Sequence, residues 1–263
     1  VEYDTPHTRS RSRAQTTVPA EPPPAEMRRI EESLRTVGAC RVPASGVRMC
    51  TGTEPEAWEV FARHWDKLEA DTYAAERGTR RFRRYGAFSF DAATARTSPL
   101  SHTSFVQPEN SNPLYTEVER VFEPLTDAFA DDPLLHGLLR LLGRAATGLD
   151  EARTWVVKVH PFRVVASADD AGEPTPEGMH RDGVTLVSSL LVNRSNARGG
   201  RSTVTTLDGR PLLETTLGKP GTLLLGDDRS TLHGVSRVRP RDLARSARRD
   251  VLVVTFAPES GQS

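Results

Sequence analysis

The chain carries no excess of charge of either sign. Its 35 Lys and Arg balance 35 Asp and Glu, so it lacks the basic surplus that neutralises phosphates, and nucleic acid is a poor partner for it. Lysine is scarce, occurring only at Lys67, Lys158 and Lys219, while arginine supplies the remaining positive charge. Cysteine is scarce too. Cys40 and Cys50 form neither a CxxC pair nor a disulfide framework, and two reduced thiols in a cytoplasmic setting are the expectation. There is no secretory leader pattern and no apolar run of membrane-spanning length, so a soluble protein without a membrane partner is expected.

What is present divides into textures. The first 25 residues are polar, Pro-rich and without periodicity, and read as a disordered tail. Residues 26–263 read as one domain, with 26–150 mainly helical support and 151–263 a β core. Apolar residues at three- and four-residue spacing predict helices in "EMRRIEESLRTVG", "EPEAWEVFARHWDKLEADTYAA" and "PLYTEVERVFEPLTDAFADDPLLHGLLRLLGRAA". "RRFRRYGAFSFD" between them reads as a strand or extended connection. From Thr154 onward short β-rich runs follow one another, punctuated by Gly, Asn, Asp and Pro. No helical pattern interrupts them, which argues against a Rossmann-type sheet. The expected fold is α+β: a double-stranded β-helix, or jelly roll, of cupin-like type with a helical N-terminal half packed on it.

Within the β region "PEGMHRDGVTLV" places His180 and Asp182 two apart, just after a turn. On a strand such residues share a face. His233, in "STLHGVSRV", lies on a late run that a jelly roll can return beside the early one. Two imidazoles and a carboxylate on one face of a metal suit a non-haem Fe(II) oxygenase, with positions left open for co-substrate and oxygen. Zinc accepts the same ligand types. Taken alone, the pattern also fits a turn histidine and a cap before Gly183. His160, in "VVKVHPFRVV", is the rival ligand, although its neighbour Pro161 suits a packing role better.

The ordered series "VHPFRV", "PEGMHRDG", "LLVNRSNARGG", "LLLGDDRSTLHGVSRV" and "RDVLVVTF" resembles the 2-oxoglutarate-dependent Fe(II) dioxygenases typified by bacterial L-isoleucine hydroxylases that act on free amino acids. Upstream, "RRYGAFSFD", "FVQPENSNPL" and "RVFEPL" are similar to the same family. The resemblance implies that His180, Asp182 and His233 bind Fe(II), and that Arg249 holds the far carboxylate of 2-oxoglutarate, with O2 as the second co-substrate. Arginine suits that carboxylate because its planar fork engages both oxygens. Arg248 is the rival, since strand alternation turns only one of the two inward.

The implied reaction hydroxylates an unactivated C–H bond of a free L-amino acid or amino-acid-like metabolite and releases succinate and CO2. Desaturation or sulfoxidation with the same cofactors, and a non-catalytic cupin-like binding module, are the alternatives. Arg163, Gln107, Asn112, Asp227 and Asp228 are the candidate substrate-binding residues; Arg163 could instead serve the co-substrate, and Asp227 and Asp228 could equally form a simple turn. No protein nucleophile or general base is needed beyond the iron ligands. Pro161 stands where the resemblance calls for glutamine, so isoleucine as the substrate does not follow. The helical half could also support a homodimer.

Overall fold

The computed structural model describes residues 25–76, 78–102 and 120–259. The elements run α1 (Ala25–Val37), β1 (Ala39–Val42), α2 (Ala44–Thr51), α3 (Pro55–Ala62), a 3-10 turn at Arg63–Lys67, β2 (Glu69–Ala70), α4 (Thr72–Ala75), β3 (Arg81–Arg83), β4 (Gly86–Asp91) and β5 (Arg96–Pro99). They continue with α5 (Asp127–Ala130), α6 (Pro133–Thr147), β6 (Thr154–Ala166), β7 (Leu186–Ser195), β8 (Ala197–Gly199), β9 (Arg201–Thr206), β10 (Pro211–Thr216), β11 (Leu223–Asp227), β12 (Thr231–Val235), β13 (Val238–Pro240) and β14 (Ala247–Pro258). None of the described helices is long and apolar enough to cross a membrane.

The helices follow their local signals where packing allows. In α1 the stripe Met27, Ile30 and Leu34 is buried, and Gly38, in the left-handed region at φ +81, ends the helix by donating its N–H to the Leu34 carbonyl at 3.0 Å. Helix α6 starts at Asp132, whose carboxylate accepts from the Leu134 N–H at 2.8 Å, with Pro133 at the first helical position.

The second and third expected helices are broken, the third being non-helical over residues 120–126 and interrupted again between α5 and α6. After α3 the chain tightens so that the Trp65 indole N–H reaches the Phe162 carbonyl at 2.9 Å. Leu68 is extended, and Asp71 caps the short α4 while pairing with Arg81 at 2.8 Å. These partners are distant in sequence and override helical periodicity. The helical half is therefore only partly helical: β1 to β5 come from it and join the main sheet.

That sheet is antiparallel and nine-stranded, in the order β1-β11-β7-β14-β6-β3-β2, with β4 also pairing β6 and β5 beyond it. One face buries Trp155, Val157, Leu190, Leu252 and Phe256 against α1 and α6. A second sheet, β10-β9-β12, and a two-stranded pair, β13-β8, complete the β structure. The opposite face of the main sheet and strands β9 and β12 line one cavity. The fold is thus mixed α and β around a large antiparallel sheet, with a second sheet across the cavity.

Candidate metal centre

His180 and Asp182 do not lie on a strand, contrary to the alternation argument. They sit in a loop between Gly178 and Gly183, both with positive φ, at 80 and 74. His180 is anchored there by a two-way backbone bridge to His233 on β12: the His180 N–H donates to the His233 carbonyl at 3.0 Å, and the return bond is 2.8 Å. Close approach depends on Gly234, where a Cβ would stand 3.1 Å from the Gly178 carbonyl oxygen. A loop, held by one bridge to the late strand, thus brings the three side chains together.

Their ligand-capable atoms all lie within 4.8 Å of one another, and this is the sole such trio among the described residues. Asp182 Oδ2 is 3.6 Å from His233 Nε2. His180 Nδ1 is 3.1 Å from the Gly178 carbonyl. A carbonyl can only accept, so that nitrogen carries the proton and Nε2 is left as the ligating atom. Glu177 Oε1 lies 3.3 Å from this Nε2. Two imidazole nitrogens and one carboxylate, gathered at the cavity wall, fit the donor set and geometry of an Fe(II) site with open positions.

Electrostatics distinguish the two neighbouring acids. Burial pushes the Asp182 carboxyl up, against the pull of His233 and His180. Burial also disfavours a charged His233, but Asp228 and Asp182 outweigh it and hold that imidazole above its usual range. Asp228 is held below the carboxylate range despite its burial, because His233 and the N–H groups of Val184 and Asp182 favour its charged form.

On β14, alternation turns Arg249, Val251, Val253 and Thr255 into the cavity. Arg249 is 1% exposed. Its Nε and Nη2 have no hydrogen-bond partner among the described residues, and burial, with Arg194 nearby, pulls it down to about 10. Gly200 makes room for it: a Cβ there would lie 3.3 Å from Arg249 Cδ. Arg248 is on the other face, with its Nε 3.4 Å from Asp250.

The remaining sequence candidates are placed as follows. Arg163 faces Asp250 in the β6–β14 register, with bonds of 2.8 and 3.1 Å, and does not line the cavity. Asp227 also lies outside the lining and grips Arg229 at 2.9 and 3.1 Å. Asp228 is buried behind the ligand loop. Gln107 and Asn112 fall outside the described residues. His160 lines the cavity without joining the trio; its Nδ1 is 2.7 Å from Arg83 and its ring stacks on Tyr85 and Phe162.

Sequence reasoning missed Arg81, Arg83, Arg120, Lys158 and Glu177 on the cavity wall. Alternation from His160 points to Lys158, and alternation along β3 pairs Arg81 with Arg83. Nothing local marks Arg120.

A family model described as 2OG-Fe dioxygenase matches residues 62–255. A bsmA homologue from Methylobium petroleophilum PM1 is 31% identical and superposes with a TM-score of 0.83, over 90% of this chain and 95% of its own. IDO from Bacillus thuringiensis is 19% identical, with a TM-score of 0.72 over 89% of this chain and 96% of its own. The Fe(II)/(alpha)ketoglutarate-dependent dioxygenase TqaL is also 19% identical, with a TM-score of 0.72 over 90% of this chain and 88% of its own. No curated protein sequence matches the chain. The last two likenesses speak for the fold, whereas the family model spans most of the chain and includes all three ligand-capable residues and Arg249. The protein belongs to the 2OG-Fe dioxygenase family, whose members use Fe(II), 2-oxoglutarate and O2.

Proposed function

We propose that the protein hydroxylates an unactivated C–H bond of a free L-amino acid or a closely related metabolite, with release of succinate and CO2. The observation that carries the reading is the pairing, in one cavity, of the His180–Asp182–His233 trio with the buried Arg249 guanidinium, whose Nε and Nη2 have no partner among the described residues. His180 and His233, through Nε2, and Asp182, through a carboxylate oxygen, would hold Fe(II). When bound, Fe(II) and 2-oxoglutarate would turn O2 into the oxidant that breaks the C–H bond, one oxygen atom going to succinate and the other to the product; the protein's task is to bind, orient and exclude.

Arg249 would hold the far carboxylate of 2-oxoglutarate, its Nε and Nη2 being the donors left without a partner among the described residues. A buried cation without an anion is costly, so the co-substrate satisfies a group the fold has already desolvated. Val204, Leu224, Val251 and Val253 form an apolar wall that keeps bulk water from the reacting centre. The amino-acid assignment draws support from a cavity wall with both signs of charge: Arg83, Arg120 and Lys158 suit a carboxylate, and Glu177 suits an ammonium. Gln107 and Asn112, outside the described residues, are assigned to the substrate as well, as polar groups suited to an amino acid's charged ends. Arg163, Asp227 and Asp228 contribute by holding structure, because none of their side chains lines the cavity.

The test loads the protein with Fe(II) and 2-oxoglutarate under anaerobic conditions, then admits air with a pool of the common L-amino acids. Succinate and amino-acid masses are read together. One amino acid gaining an oxygen atom, with matching succinate, is the expected result. Loss of two hydrogens would mark desaturation instead. Succinate without an altered amino acid would overturn the proteinogenic substrate class.

A further inference from the structure

Asp228 occupies a place that neither the substrate nor the metal explains. Its side chain is completely buried. Oδ2 accepts from the Asp182 N–H at 2.9 Å and from the Val184 N–H at 3.1 Å, and Oδ1 lies 3.1 Å from the same Asp182 nitrogen. Oδ1 is also 3.6 Å from Nδ1 of His233, a buried nitrogen with no hydrogen-bond partner among the described residues. The turn carrying Asp228 is itself pinned. Its own N–H donates to the Thr185 carbonyl at 3.1 Å, and the Thr231 hydroxyl donates to the Asp227 carbonyl at 2.8 Å.

One carboxylate therefore bonds the backbone of the loop that presents Asp182 and faces, at ion-pair distance, the rear of the ring on β12. We infer that Asp228 is a positioning residue for the iron site, fixing His233 as its Nδ1–H form with Nε2 free to ligate, and holding the loop at the distance that lets Asp182 share the same ion. The assignment rests on the proposed iron site only for the identity of the three ligands.

The physical reason is the arrangement of donors. Two backbone N–H groups donate to this side chain and the ring nitrogen faces it at 3.6 Å, so the group there must offer only lone pairs, and a carboxylate is the side chain that does so. A ring whose rear nitrogen is held by a carboxylate has its tautomer and orientation set, and is a more basic ligand. His180 meets the same need differently, through the Gly178 carbonyl. Asp228→Asn keeps the shape but turns an NH2 toward either the backbone donors or the ring donor, so one of the two tasks fails.

The experiment measures Co(II) affinity by the visible absorption of the bound ion, for the intact protein, Asp228→Asn and His233→Ala, with folding checked by circular dichroism. Expected are tight binding by the intact protein, roughly 10- to 100-fold weaker binding by Asp228→Asn with an unchanged spectrum of the fold, and loss in His233→Ala. Equal affinity in Asp228→Asn and the intact protein overturns the positioning role while leaving the ligand assignment standing. Absence of Co(II) binding by the intact protein overturns both.

Should Asp228→Asn not fold, the intact Zn(II)-loaded protein labelled with 15N-histidine answers the same question. A slowly exchanging proton on Nδ1 of His233 is expected, and an Nδ1 without a protected proton contradicts the role.

Discussion

At Arg249 a guanidinium is 1% exposed, and two of its nitrogens lack partners among the described residues. Arg248, one position earlier, sits on the far face beside Asp250. Truncating one partner of a buried charged pair costs about 2–5 kcal/mol, so Arg249→Ala should weaken 2-oxoglutarate binding to the Fe(II)-loaded protein by ~30-fold or more. Arg248→Ala should leave it within about twofold. Anaerobic calorimetry decides, and the reverse ranking would exchange the two roles.

His160 offers a second residue-level test. Burial, then Arg83, Lys158, Arg120 and Arg81, hold its imidazole well below the usual range, so it stays neutral in the folded chain. The unfolded chain takes up a proton there below about pH 6.5. The unfolded state then binds more protons, and stability falls as pH drops through that value, by up to about 1.4 kcal/mol per pH unit. His160→Phe should flatten the dependence of the urea midpoint on pH between about 5 and 6.5. An unaltered slope would show that His160 is charged in the fold.

Among the elements, α6 and β4 meet at a point set by one missing side chain. A Cβ at Gly143 would stand 2.3 Å from Phe90 Cζ, and Phe90 is 1% exposed and packed edge-on against Phe256. Alanine in place of a helical glycine gains about 1 kcal/mol from propensity, whereas overpacking a rigid core costs about 1–3 kcal/mol. With contact this short the second effect wins. Gly143→Ala should lower the denaturation midpoint, and the same change in a Phe90→Leu background should lower it less. A raised midpoint would mean that helix and strand can separate freely.

Elements were legible in the sequence where their partners are local. The α1 stripe of Met27, Ile30 and Leu34 and the β texture after Thr154 are written in neighbouring residues, whereas the third helical pattern runs straight through Asp132-Pro133, where α6 starts. The break after α3 was not legible, because it depends on Trp65 reaching Phe162 and on Asp71 pairing with Arg81. The site divides in the same way. His180, Asp182, His233 and Arg249 stand out through the family resemblance, and alternation says only that one of Arg248 and Arg249 turns inward; it is Arg249 that lines the cavity. The loop geometry of His180 and Asp182 escaped, since Asp228, far along the chain, holds it.

The whole molecule places the metal ligands on two segments far apart in sequence, so an ion bound there ties the early ligand loop to the late strand. A ligand that binds only the folded state at 100 times its dissociation constant adds about 2.7 kcal/mol, which for a chain of this size raises the melting temperature by roughly 5–10 °C. Co(II) should produce that rise, a chelator should reverse it, and Asp182→Ala should abolish it. An equal rise in Asp182→Ala would place the ion elsewhere.

Whether this cavity works as a 2-oxoglutarate and Fe(II) centre is decided by succinate formed when air reaches the Fe(II)- and 2-oxoglutarate-loaded protein, compared with Asp182→Ala and Arg249→Ala. Succinate from the intact protein should require both Fe(II) and 2-oxoglutarate. Asp182→Ala should form none above background, and Arg249→Ala should form it only at much higher 2-oxoglutarate. Undiminished succinate from Asp182→Ala, or none from intact protein shown to hold iron in the presence of its substrate pool, would show that the cavity is not such a centre.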